Sequence, residues 1–286
     1  MCSSDLDEQK FHHRDTETRR RSKVAERVIA VDWSGALRHP ARTIWLAEFV
    51  DGSPVFLEKC SSRGQAIEDL IAATKNSSRV VVGLDFAFSC PAWFAKEQQC
   101  SSAMEFWSVV NLRGEEWLRS CPHPFWGRCR RTLPANTGIF RRTEEGLSPV
   151  GGITPKSVFQ LAGPGHVGTG SLRGMPFLAD LLDVGFSVWP FQEPSNHVVI
   201  EIYLRILTRT VVKRSPAARA LFLDNPEFAS FTKEWRAKAV SSEDAFDAAV
   251  SVFVMNKHLH ELKSLKMTTD PDFILEGIIW NPKRSN

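Results

Sequence analysis

Past residue 26 the chain alternates short apolar runs with polar, glycine- and proline-bearing breaks, and the runs follow two different periods. Residues 28–32, 43–50 and 55–60 read as strands. The last two are joined by Asp51, Gly52, Ser53 and Pro54, a turn of hairpin length, so a three-stranded antiparallel meander is the simple expectation. Residues 65–75 then place Ala66, Ile67, Leu70, Ile71 and Thr74 at helical spacing. Residues 79–85 follow as a continuously apolar strand, the pattern of the covered, parallel part of a mixed sheet. The long stretch 88–191, with helices expected near 101–120 and 171–182 between Pro- and Gly-rich loops, reads as an insertion with a partial core of its own. The sheet pattern resumes at 197–203 and is followed by helical segments at 215–223 and 227–238. The strongest helix runs from Ser242 to about Leu262, with Ala245, Phe246, Ala249, Val252, Phe253 and Leu259 on one side, and 273–280 reads as a final edge strand. The pattern is that of an α/β domain over 27–286, without internal repeats.

Composition narrows this little. Residues 1–26 mix His12, His13 and the run Arg19, Arg20, Arg21 with acids and almost nothing apolar, the make-up of a solvated tail. With 286 residues, 43% of them hydrophobic, the chain can bury a full core. A formal charge of +3 permits a polyanionic partner without demanding one, so nucleic-acid binding has to be argued from local features. No apolar run approaches a membrane span and the first 26 residues do not resemble a secretory signal, so the expectation is a soluble, cytoplasmic protein. The six cysteines form no C-x-x-C pair. Cys121, His123 and Cys129, with Cys90 and Cys100 upstream, are either a zinc cluster or small half-buried residues of a Pro- and Trp-rich loop, with reduced thiols the default.

The chemistry lies in the acids. Asp32 ends the first strand before Trp33, Ser34 and Gly35, and it either opens onto a cleft or caps the turn through its own side chain. Asp85, in Gly83, Leu84, Asp85, Phe86, Ala87, has apolar neighbours and no adjacent cation. Glu201 sits in Val198, Val199, Ile200, Glu201, Ile202, Tyr203, where period-two alternation could equally put it on a solvent face. Asp244 and Asp247 lie three apart near a helix start. Ser241 with Asp244 fits a capping box, which leaves Asp247, one turn deeper, the better ligand. A carboxylate at a buried strand end is costly unless a positive partner repays its desolvation, and several from distant stretches together suit hard divalent cations such as Mg²⁺ or Mn²⁺. Such a site, holding two ions about 3.5–4 Å apart, would serve phosphoryl transfer.

Two basic segments add to the picture. Gly163, Gly165 and Gly168 match G-x-G-x-x-G literally, yet the nearest acid at dinucleotide-site distance, Asp183, falls in a helical pattern, and no Lys follows the last glycine as a P-loop requires. What remains is either a mobile connection or an amide-rich loop able to cradle phosphate, with Lys156, Gln160, Ser171 and Arg173 around it. Arg130, Arg131, Arg141 and Arg142, interleaved with Phe125, Trp126 and Phe140, offer cations for phosphate and rings for bases, or simply a solvated basic surface.

Taken together, Val31-Asp32-Trp33-Ser34-Gly35, Gly83-Leu84-Asp85, Gln160 with Gly168-Thr169-Gly170-Ser171, Val199-Ile200-Glu201-Ile202-Tyr203 and Ser242-Glu243-Asp244-Ala245-Phe246-Asp247-Ala248 resemble the predicted RNase H-like nuclease family called domain of unknown function 429, and more remotely the Holliday-junction resolvases. The likeness spans 27–282. It implies an RNase H-like mixed five-stranded sheet, three strands antiparallel and two parallel, flanked by helices and interrupted by the insertion. It also implies that Asp32, Asp85 and Asp247 hold metal, that Asp244 stands beside them and that Glu201 is the fifth-strand glutamate. Leu204 departs from the proline that relatives often carry after the tyrosine. The expected function is metal-dependent cleavage of DNA or RNA. The alternatives are a non-catalytic binding module on the same fold and, less favoured, an ATP-using phosphotransferase, which would normally need two copies of such a sheet.

Overall fold

The structure is a computed structural model that describes residues 24–36, 43–135 and 138–282. The expected tail falls outside these residues, apart from its last three positions, and there the first strand already begins, at Ala25. In chain order the elements are β1 (Ala25–Asp32), β2 (Trp45–Val50), β3 (Ser53–Lys59), α1 (Arg63–Thr74), β4 (Ser77–Leu84), α2 (Ala92–Glu97), α3 (Ala103–Ser120), α4 (Arg142–Glu145), α5 (Gly168–Asp183), β5 (Ser187–Val188), β6 (His197–Ile202), α6 (Leu204–Thr208), α7 (Pro216–Leu223), α8 (Lys233–Val240), α9 (Glu243–Lys257), α10 (Leu259–Leu262), α11 (Phe273–Glu276) and β7 (Ile279–Trp280).

The protein is an α/β molecule built on a mixed seven-stranded sheet of order β3-β2-β1-β4-β6-β5. β2 is antiparallel to both β1 and β3, whereas β4 runs parallel to β1 and β6 parallel to β4. β5 and β7, each two residues long, pair in parallel with successive halves of β6. The expected edge strand over 273–280 is mostly otherwise: Phe273–Glu276 is a helical turn, and only Ile279 and Trp280 join the sheet.

Each central strand buries both faces, which is why its sequence is apolar at every position. Ile29 and Val31 of β1, with Val80, Val82 and Leu84 of β4, point into one core, where α1, α3 and α5 contribute Leu70, Phe106, Trp117 and Leu178. Val28, Ala30, Val81, Val198, Ile200 and Ile202 point into the other, beneath α6 to α9. The region expected to have its own core does not: its aromatic residues Phe94, Phe106, Trp107, Trp117, Phe125 and Phe159 belong to the same cluster as Ile29 and Val82, so the insertion is the helical layer of one sheet face.

α9 lies across β1 and β2 on the second face. It begins one residue later than the capping pattern suggested, since Ser242, not Ser241, is the N-cap and accepts the Ala245 amide. It also stops at Lys257, and α10 follows as a separate turn. Close approach to the sheet depends on Gly83, where a Cβ would stand 2.6 Å from Met255 Sδ and 2.9 Å from Ile202 Cγ2. Among the described residues, no helix is long and apolar enough to cross a membrane.

Candidate active site at the strand ends

Alternation along the strands decides which acids meet. Asp32 ends β1 on the same side as Val28 and Ala30, the face covered by α9. Asp85 stands one residue beyond β4, and its amide donates to Val31 O, so it extends the row begun by Val81 and Gly83 on that same face. Asp247 lies on the first turns of α9, 6% exposed. Three carboxyls from stretches far apart in sequence are thereby gathered at one end of the central strands.

Their electrostatics record that proximity. Burial, followed by the charges of Asp247, Asp85 and Asp244, pushes the Asp32 carboxyl well above its usual range, and Lys213 opposes the shift. Loss of water and the neighbouring Asp247 raise Asp85 to about 7. Burial raises Asp247 to about 6 even though Lys213 lowers it. Burial and Glu243 also raise Asp244, with Lys213 and Lys59 opposing; with Ser242 as the N-cap this half-buried acid is not the partner of a capping box, and its charge acts on Asp32 and Asp247.

Lys213 is the residue that pattern reading missed. Its Nζ stands 2.5 Å from Asp247 Oδ2, while Asp247 Oδ1 is buried and has no hydrogen-bond partner. The loop carrying Lys213 is held by buried Arg219, whose guanidinium donates to Lys213 O and Val240 O. A lysine in a loop between two helices carries no periodic signal, and only its distance in space from Asp247 gives it meaning.

Glu201 falls elsewhere, and the reason is again parity. It pairs in register with Leu84 and shares the face of Val199, opposite the one that carries Asp32 and Asp85. There its carboxylate takes the Arg141 guanidinium at 2.5 and 2.8 Å and the Phe88 amide at 3.0 Å. Arg141 is 1% exposed and also bonds Glu144 and the Glu276 carbonyl. It is therefore a structural ion-pair residue and not a contact for phosphate. Arg142 lies at the surface, paired with Asp270 and Asp272 over the Phe273 ring.

Of the residues expected around the glycine-rich segment, Ser171 is fully buried, accepts the Ala87 amide and donates to Val167 O, so with Glu201 it fixes the 86–88 turn behind Asp85. The segment itself is not all loop, because α5 begins at Gly168. Gln160 Nε2 reaches Ala162 O, and the Lys156 stem packs beside Gly165. Arg173 bonds Glu115 and the Gly35 carbonyl, which holds the turn after Asp32. Gly35 is required there: a Cβ would meet Gly170 N at 2.5 Å.

Beside Asp85 opens a cavity of ≈ 400 Å³ lined by Trp33, Ser34, Arg128, His166, Gly170 and Arg173 among others. A larger one, ≈ 590 Å³, is lined by Ile206, Arg209, Lys257 and His258 and includes none of the acids. The zinc alternative finds no support: Cys90, Cys100 and Cys121 are buried free thiols and Cys129 is exposed. Among the described residues no three His, Cys, Asp or Glu side chains stand arranged to hold a metal ion as they are, the acidic cluster included. No family model, curated protein or solved structure matches the chain.

Proposed function

We propose that the chain is a divalent-metal-dependent nuclease that hydrolyses phosphodiester bonds of DNA or RNA, on an RNase H-like sheet formed by the β3-β2-β1 meander with parallel β4 and β6 and extended by β5 and β7. The observation that carries the reading is the meeting of Asp32, Asp85 and Asp247 under α9 with more negative charge than Lys213 offsets and with Asp247 Oδ1 buried and unmatched. An orphaned buried carboxylate oxygen costs a few kcal/mol unless a cation or donor meets it, on the order of 1–3 for a neutral group and more for a charged one. A set of hard oxygen donors fits Mg²⁺ or Mn²⁺ rather than a softer metal.

Asp32, Asp85 and Asp247 would hold the ion, with Asp244 at the margin of the site. When bound, it supplies Lewis acidity toward a phosphoryl oxygen and makes a water nucleophilic near neutral pH. The chain's own part is positional. Ser171 and Glu201 hold the turn behind Asp85, Arg173 holds the turn after Asp32, and Lys213 balances charge on Asp247. Because Lys213 grips Asp247 Oδ2, loading requires that side chain to reorient or to offer Oδ1.

The test is incubation with single- and double-stranded DNA and RNA and Mg²⁺ or Mn²⁺. Cleavage is expected, and Asp32→Asn is expected to lower it at least a hundredfold. No cleavage, or cleavage that survives the substitution, sinks the reading. A second reading, a non-catalytic module binding nucleic acid or protein, is favoured by the lack, among the described residues, of a ready-made three-ligand arrangement. Titration with Mn²⁺ separates the two, since a folded protein that binds no divalent ion is the module.

A further inference from the structure

We infer that the cavity beside Asp85 is a phosphate subsite, in which Arg128, Arg173, His166 and the first turn of α5 take a phosphate group of a nucleic-acid strand. The subsite's place in catalysis rests on the nuclease reading, whereas its binding chemistry does not.

Four independent features meet there. Val167 gives the sixteen-residue α5 no side-chain cap, and Thr169 and Gly170 of its first turn line the cavity at the positive end of the helix. The indole N–H of Trp33, a residue 6% exposed that also lines the cavity, has no acceptor. Two guanidiniums, those of Arg128 and Arg173, line the wall, and that of Arg63 stands behind it. Arg63 donates to Ser34 O and Ala36 O, Arg173 to Gly35 O, and Arg128 to Leu118 O and Thr169 Oγ1. Glu115 pairs bidentately with Arg173 and so offsets its charge, whereas among the described residues no ion pair holds Arg128. Last, Asp85 shares the lining, so a phosphate seated on the basic side lies against the carboxylate cluster. Donors without acceptors and cations without full compensation describe a site built for a multivalent oxyanion. Lys156 and Gln160, expected from sequence to supply such donors, are not among the lining residues.

An internal phosphodiester and a terminal phosphate share this chemistry. Binding is measured in chelator, without divalent metal, by fluorescence anisotropy of labelled oligothymidylate with and without a 5′-phosphate, with inorganic phosphate as competitor. The expected result is competition by inorganic phosphate and about tenfold weaker binding in Arg128→Gln, with a shallower salt dependence. Because Arg128 also braces α5, His166→Gln is the second variant; that side chain bonds only the Gly163 carbonyl, and its binding should fall about threefold at unchanged melting temperature. A preference for the 5′-phosphate assigns a terminal group, and equal loss for both oligonucleotides assigns an internal one. Failure of phosphate to compete, or wild-type affinity in both variants, overturns the subsite. Absence of metal-dependent cleavage would remove the nuclease reading while leaving this binding result intact.

Discussion

Asp85 shows how the cluster stores its cost. An aspartate whose folded-state pKa is raised from 3.8 to about 7 binds a proton that the unfolded chain has already released, so the native state is relatively favoured below about pH 4 and loses that advantage as pH rises to about 7. In chelator, Asp85→Asn should therefore raise the melting temperature at pH 8 by about 5 °C and change it little at pH 4. Calorimetry at the two pH values decides this, and an equal gain at both would mean that the charge is not the cause. The costly acids were readable, because an Asp closing a wholly apolar strand is conspicuous. Lys213 was not, since nothing in its own stretch marks a lysine that will meet Asp247. Arg128 was passed over for the denser Arg130, Arg131, Arg141 and Arg142, although Arg128 lines the cavity and Arg141 is sealed inside.

Among elements, α9 decides whether the site exists, because it delivers Asp247 to strands that already carry Asp32 and Asp85. Its seat on the sheet depends on the missing side chain at Gly83. Gly83→Ala should cost about 1–3 kcal/mol through overpacking and weaken Mn²⁺ binding by displacing α9. Trimming the obstacle in Gly83→Ala/Met255→Ala should restore part of the metal affinity, whereas a double mutant no better than the single would place the defect elsewhere. The apolar runs showed the five longer strands within a few residues: the central ones because strands covered on both faces need unbroken apolar sequence, and the largely exposed β3 through its hairpin turn. The elements misplaced were those set by tertiary context. Residues 227–238 form a 3₁₀ turn and then α8, and α5 starts inside a glycine run whose intrinsic preference is against helix. β5 and β7 are too short for a pattern and exist because β6 offers an edge.

Across the whole molecule, parity separates two tasks that the sequence presented as one. One face of the sheet end holds Asp32 and Asp85 under α9, while the other holds Glu201, closed onto Arg141. Glu201→Gln should accordingly lower stability by about 3 kcal/mol in urea, by leaving a buried guanidinium short of charge. The folded variant should keep its Mn²⁺ affinity by calorimetric titration. Loss of that affinity at full folding would return Glu201 to the ligands. The resemblance named Asp32, Asp85 and Asp247 as the metal-holding acids and Glu201 as the fifth-strand glutamate beside them; alternation against Val198, Ile200 and Ile202 puts Glu201 on the other face.

The Arg141 clamp also sets an order on synthesis. Its acceptors come from Glu144 nearby, Glu201 sixty residues later and the Glu276 carbonyl at the far side of the chain, with Glu276 Oε2 also taking the Arg142 amide. A ribosome releases Arg141 long before its last partner, so during that interval the guanidinium can stay hydrated but cannot be buried in its final form. The half-made protein has its meander and its aromatic layer in hand, yet the Arg141 clamp is complete only when residue 276 emerges. A nascent chain arrested short of that point should remain protease-sensitive around residues 141–145, even with every strand of the meander already made.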